Sequence, residues 1–259
     1  MIMQKLSLHH LTLRDASPLQ LADAAHASGF NYYGLRAVDV VHDAALIREL
    51  EARTHATGVK LLDIEPGWLQ ADTNIGDLLP ALEVGHRLGA KHVLTVGLDD
   101  DRARLTDNFC VLCEAAAHFD MTVGLEPITY CAIGTPSDAL ATVYGSGQPN
   151  ARLLIDALQF FRSGAHTEDI ARINPELIEY IQLCDARLAS PASVEGRRTE
   201  ARTARLLPGD GELPLQAMLA QLRTDMTLAI ETPTLALRGL PFGEQARIVM
   251  ERTRRFLGH

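Results

Sequence analysis

The sequence predicts a (β/α)8 barrel built as a single domain over residues 1–259. Three observations predict it. Short apolar runs alternate with longer helical stretches from one end of the chain to the other. Those runs are mostly continuous rather than alternating, as strands buried on both faces require. No glycine-rich turn follows the first run, where LTLRDASP stands, and an open doubly wound sheet would call for one.

The elements follow in order. LSLHHLTL (6–13) is the first strand. Ser17 and Pro18 then supply a cap and a first-turn proline for PLQLADAAHASG, which Gly29 ends. NYYGLRAV is the second strand, and DAALIRELEARTHATG a helix opening near Asp43 and closing at Gly58. VKLLDIEP is the third strand. In the next helix, TNIGDLLPALEVGHRLGA, Pro80 either kinks the helix or starts a new one. KHVLTVG is the fourth strand, and RARLTDNFCVLCEAAAHFD the fourth helix, with Asp99–Asp101 capping its start. MTVGLEP, ARLLIDAL, YIQLCDA and TLAIETP are strands five to eight, each with helical material after it. FGEQARIVMERTRRFLG closes the chain, with arginines in its last turns. The stretch 187–211, rich in Ala, Ser and Arg, is the longest loop, of the kind that forms a lid or a substrate loop at a barrel mouth.

Composition narrows the function. The chain has 47% apolar residues, ordinary for a globular core, and a net charge of −9, with no basic stripe for a nucleic acid. No run is long enough to span a membrane, and MIMQKLSLHH lacks the features of a signal peptide. The four cysteines form no disulfide framework; Cys110 and Cys113 read as two small residues of a helix. A cytoplasmic location follows as the expectation.

Four strands carry an oxygen ligand near their C-terminal ends: Glu126, Asp156, Gln182 and Glu231. The spacings are 30, 26 and 49 residues, the length of a β/α unit with one longer insertion. Parallel barrel strands would bring all four to one face. Hard oxygen donors suit a divalent cation, and three acids gathered without a cation would repel one another.

GLEPI, LLIDALQFFRSG, YIQLCDA, RLLPGDGELPL and LAIETP resemble the xylose-isomerase-like TIM barrels, over essentially the whole chain. The resemblance implies one divalent ion, Mn2+ or Mg2+ first and Co2+ or Zn2+ next, held by Glu126, Asp156, Gln182 and Glu231. It also implies that Glu126 and Glu231 flank the substrate and move its protons. A metal on the substrate carbonyl would stabilise an enediolate. A carboxylate that takes the α proton, with a second group returning one, gives isomerisation or epimerisation of a polyhydroxy carbonyl. Loss of a β-hydroxyl from the same enolate gives dehydration. Two residues depart from the pattern. Gln159 replaces the histidine of D-x-x-H and cannot serve as a general acid, and Gln182 replaces histidine as the strand-seven ligand, as in inosose and 3-dehydroshikimate dehydratases.

The remaining candidates for the barrel mouth, as substrate contacts, are His10, Arg36, Glu65, Gln159, Arg162, Asp185 and Arg205. Arg36 would suit an anionic substrate group or pair with Asp63 or Glu65. Arg205 resembles the family's loop arginine that reaches substrate. The expected partner is a small carbohydrate-like molecule, with neither nucleic acid nor membrane, and homo-oligomers fit the resemblance. The leading expectation is a metal-dependent isomerase or epimerase. The alternative is a metal-dependent dehydratase, followed by a non-catalytic sugar-binding homologue and an endonuclease IV-like nuclease.

Overall fold

A computed structural model describes residues 4–258. Its strands are β1 (Leu6–Leu8), β2 (Tyr32–Arg36), β3 (Lys60–Glu65), β4 (His92–Val96), β5 (Thr122–Glu126), β6 (Ala151–Leu153), β7 (Ile155–Asp156), β8 (Tyr180–Leu183) and β9 (Thr227–Ile230). Every pairing between them is parallel. The order is β6-β5-β4-β3-β2-β1-β9-β8-β7. The two ends of that row, β6 and β7, are halves of the predicted sixth strand, parted by Leu154. β6 bonds to β5 and β7 to β8, so the chain itself closes the ring.

The helices are α1 (Pro18–Ala27), α2 (Ala44–Thr57), α3 (Leu79–Arg87), α4 (Arg102–Ala117), α5 (Pro136–Ser146), α6 (Ala157–Arg162), α7 (Thr167–Ile170), α8 (Val194–Thr203), α9 (Leu215–Leu219) and α10 (Phe242–Phe256). Their caps follow the sequence. Ser17 and Gln20 form a capping box on α1, and Asp43 and Asp101 accept the first free N–H groups of α2 and α4. α2 ends on Gly58 at φ 75°, a conformation a side chain would disfavour. Pro80 starts a helix rather than kinking one: Ile75–Leu78 is a 3-10 turn, and α3 begins at Leu79.

Two expectations need correction. The first strand does not run to residue 13. It stops at Leu8, and His10–Leu13 is a 3-10 turn, because His9 caps the turn and the Thr12 hydroxyl bonds Ile230 O instead of continuing a ladder. The stretch 187–211 is not a plain loop. It contains α8, which lacks an apolar stripe and is held from outside: Arg162 pairs with Glu200 at 2.6 Å, and Ser193 caps its start.

Most of the core lies between the ring and its helices. A smaller cluster of Leu62, Leu94, Leu154, Tyr180 and Ala229 joins residues of opposite strands, which places it inside the ring. The β2–β3 ladder slips at Tyr33/Gly34 and skips Leu62. Asp63 then lies against Gly34, where an added Cβ would come within 2.3 Å of its Oδ1. Among the described residues, no helix is long and apolar enough to cross a membrane.

Candidate active site and metal centre

Glu126 ends β5, Asp156 ends β7, Gln182 sits beside Asp156 in β8, and Glu231 follows β9. All four are buried at the C-terminal end of the ring. The cation among them is Arg205, itself 3% exposed. Its Nη1 donates to Asp156 Oδ2 at 2.5 Å, and its Nη2 lies 2.8 Å from Glu231 Oε1. Nε donates to Ala201 O at 2.9 Å and Nη1 to Glu231 O at 3.2 Å, so the guanidinium is held on several sides. Burial works against its charge, but the carboxylates of Asp156 and Glu231 outweigh that and raise its pKa well above the ordinary value. Burial raises the carboxyls of Glu126, Asp156 and Glu231. Repulsion from Glu231 and Asp156 adds to the effect at Glu126, while Arg205 opposes it at the other two.

His9 completes the group. Its Nδ1 lies 3.3 Å from Glu231 Oε2, and its Nε2 lies 3.4 Å from Gln182 Nε2. Burial, then Arg205, lowers its pKa to about 3, so the ring is neutral. Nδ1 faces both the Leu11 N–H, at 3.4 Å, and Glu231, and Nε2 faces the Gln182 amide. Gln182 Oε1 is left buried with no donor.

The donor set fits a divalent ion in its chemistry. Gln182 Oε1 is unspent, and Glu126 has no hydrogen bond or ion pair among the described residues. Three carboxylates against one guanidinium leave a formal charge of −2, which a divalent cation would neutralise. The side chains themselves converge on Arg205: among the described residues, no three His, Cys, Asp or Glu stand in a metal-holding array.

The other predicted contacts divide. His10 and Glu65 lie at the mouth, with His10 Nε2 3.6 Å from Glu65 Oε2. That contact is no ion pair, because burial and then His9 hold His10 well below its ordinary pKa. Trp68 Nε1 donates to Glu65 Oε1 at 2.6 Å, and burial raises the Glu65 pKa to about 7. Gln159 Oε1 accepts from Thr129 N and Oγ1, both at 3.3 Å, and so pins the segment after β5. Arg36 is tied to neither Asp63 nor Glu65. It forks onto Asp39 at the exposed rim, because the 3-10 turn after β2 brings that acid within 2.9 Å. Arg162 is spent on Glu200 and Arg187 O, holding the insertion. Asp185 accepts from the N–H groups of Ala186, Gly209, Gly211 and Leu213 at 2.8–3.1 Å, which fixes the segment after Arg205.

One residue escaped the sequence, and one, Asp63, stands otherwise than as a partner of Arg36. His9, not His10, touches Glu231 and Gln182, and only the end of β1 at Leu8 reveals it. Asp63 is buried in the ring with Oδ2 unpartnered, and burial raises its pKa to about 7.

The model of the family described as xylose isomerase-like TIM barrel matches residues 22–254. The chain belongs to that family. Among curated proteins, none matches significantly. Solved structures do, at identities that speak to the fold alone. The IolI protein with a bound zinc atom is 19% identical at TM-score 0.84, with 98% of each chain covered. The 3-keto-D-glucoside 4-epimerase YcjR from E. coli is 16% identical at TM-score 0.77, covering 99% of this chain and 100% of that one. The probable 3-DHS dehydratase AsbF from Bacillus anthracis is 16% identical at TM-score 0.75, covering 99% of each. The chain also spans 43% of a xylose isomerase-like TIM barrel/4-hydroxyphenylpyruvate dioxygenase fusion protein, at 17% identity and TM-score 0.81.

Proposed function

We propose that this protein is a divalent-metal-dependent isomerase or epimerase of a polyhydroxy carbonyl compound. The observation that carries the reading is the gathering of Glu126, Asp156, Gln182 and Glu231 at the C-terminal end of the ring, with Gln182 Oε1 buried and free. Those four residues would hold the ion, Mn2+ or Mg2+ before Co2+ or Zn2+. When bound, it supplies Lewis-acid stabilisation of negative charge on a substrate oxygen.

The chain's own residues do the rest. His9 packs against both Gln182 and Glu231 and holds them side by side. Arg205 holds Asp156 and Glu231 in place. Glu126 and Glu231 come from strands on different sides of the ring and act as the proton-moving pair: one takes the proton α to the carbonyl, and the other returns it. Glu65, aimed by Trp68, contacts substrate hydroxyls.

The dehydratase reading keeps a specific support. Gln159 is committed to Thr129, so no histidine stands on α6 to return a proton to carbon. One screen separates the two. Metal-loaded protein is incubated in D2O with ketoses, inososes and 3-dehydroshikimate. Deuterium gained at carbon without loss of water supports the isomerase, whereas a new enone absorbance supports the lyase. Glu231→Gln should lower turnover by about 10²–10⁴-fold with the fold intact, and full activity in that variant would remove its role.

A further inference from the structure

Beside the barrel mouth, and separate from it, lies a cavity of about 470 Å3. None of Glu126, Asp156, Gln182, Glu231, Arg205, His9 or His10 lines it. Its apolar wall includes Leu13, Leu240 and Phe242, and its charged wall carries Arg14, Arg202 and Arg238. Asp15 is the acid among the lining residues, so the lining carries a net charge of +2 in a chain whose net charge is −9.

The arginines are not spent elsewhere. Arg14 and Arg202 make no ion pair among the described residues, and Arg238 has Asp15 only at 4.0 Å. In contrast, Arg36, Arg87, Arg104, Arg162 and Arg205 are each bound to a carboxylate at 2.9 Å or less. Arg14, Arg202 and Arg238, all exposed, line it from the turn after β1, the end of α8 and the segment after β9, so an anion in the cavity has three guanidinium groups as partners. The volume lies in the range of small-molecule pockets, and the apolar wall matches a ring or short chain.

We propose that this cavity is a second ligand site, for a small organic anion: an apolar body bearing one carboxylate or phosphate. The apolar body packs on Phe242, Leu13 and Leu240, and the oxyanion meets the arginines. The far side of the wall belongs to the active site. Thr12 Oγ1 donates to Ile230 O at 2.7 Å and accepts from Thr232 N at 2.9 Å. Pro233 O accepts from Arg205 N at 3.2 Å. A ligand here therefore rests on the backbone that carries Glu231 and Arg205.

Calorimetric titration of the full chain with phenyl phosphate, benzoate, phenol and inorganic phosphate tests the site. Phenyl phosphate or benzoate should bind at least about tenfold more tightly than phenol or inorganic phosphate. The double variant Arg202→Ala/Arg238→Ala should weaken that binding by about tenfold or more, and Arg14→Glu should do the same. Arg87→Ala, an arginine outside the cavity, should change nothing, and circular dichroism checks that each variant is folded. The proposal is overturned by no binding up to about 10 mM, by equal binding to the double variant, or by binding that Glu231→Gln abolishes while the double variant keeps it.

Discussion

Replacing Arg205 with methionine removes the one cation among the candidate ligands while keeping most of the side chain's volume. Asp156 and Glu231 each lose a charged donor, at 2.5 and 2.8 Å, in a site almost closed to solvent. Removing one partner of a buried ion pair costs about 3–5 kcal/mol. A chain of this length loses about 2 °C of melting temperature per kcal/mol, so Arg205→Met should melt about 6–10 °C lower at pH 8 in EDTA. The pH dependence follows from sign. Burial already raises both carboxyls above 3.8 and 4.5, and losing Arg205 raises them further in the folded state. A carboxyl whose folded pKa is raised costs stability once pH exceeds the unfolded value, so the deficit should grow from about pH 4 upward and shrink again on acidification. Millimolar Mn2+ should return much of it, by supplying the missing charge. Differential scanning calorimetry at pH 4 and pH 8, with and without metal, makes the measurement. A loss below about 2 °C at pH 8, or one as large at pH 4 as at pH 8, would refute the idea that Arg205 neutralises this site.

Asp63→Asn should stabilise the protein above pH 7 and be neutral near pH 4. The folded pKa of about 7 against 3.8 sets an upper limit of about 4 kcal/mol, readable by urea denaturation across that range. Gly34→Ala should cost about 1–3 kcal/mol in the same assay, because its Cβ would press into Asp63 Oδ1. Asp185→Ala should cost about 3 kcal/mol or more, since four backbone N–H groups lose their acceptor. Hydrogen exchange at Gly209, Gly211 and Leu213 should accelerate with it, and unchanged protection there would count against the carboxylate as their anchor.

The barrel was legible because strand and helix obey local rules: apolar runs for the ring, and capping residues such as Ser17, Asp43 and Asp101 at helix starts. The strand ends were legible for the same reason, since register carries Asp156 and Gln182 to one level. What escaped depends on contacts far apart in the chain. α8 has no apolar stripe to announce it and is held by Arg162 of α6. His9 and His10 are adjacent and chemically identical; which one faces Glu231 was decided by Thr12 bonding to the end of β9. Asp63 reads as a partner for Arg36 until the slip at Gly34 turns it inward. Arg162 and Asp185 looked like substrate contacts because residue type does not reveal that a side chain is already occupied, here by Glu200 and by backbone N–H groups respectively.

Asp156 has a double duty. One of its oxygens holds Arg205, and the other accepts from Gln159 N at 2.8 Å to cap α6. It also lies at the end of the strand that bonds to β5 through Ala151–Leu153 and to β8 through Ile155–Asp156. One carboxylate therefore ties the arginine before strand β9 to the first turn of α6. Removing that carboxylate should loosen both partners at once, and with Gln159 the contact to Thr129.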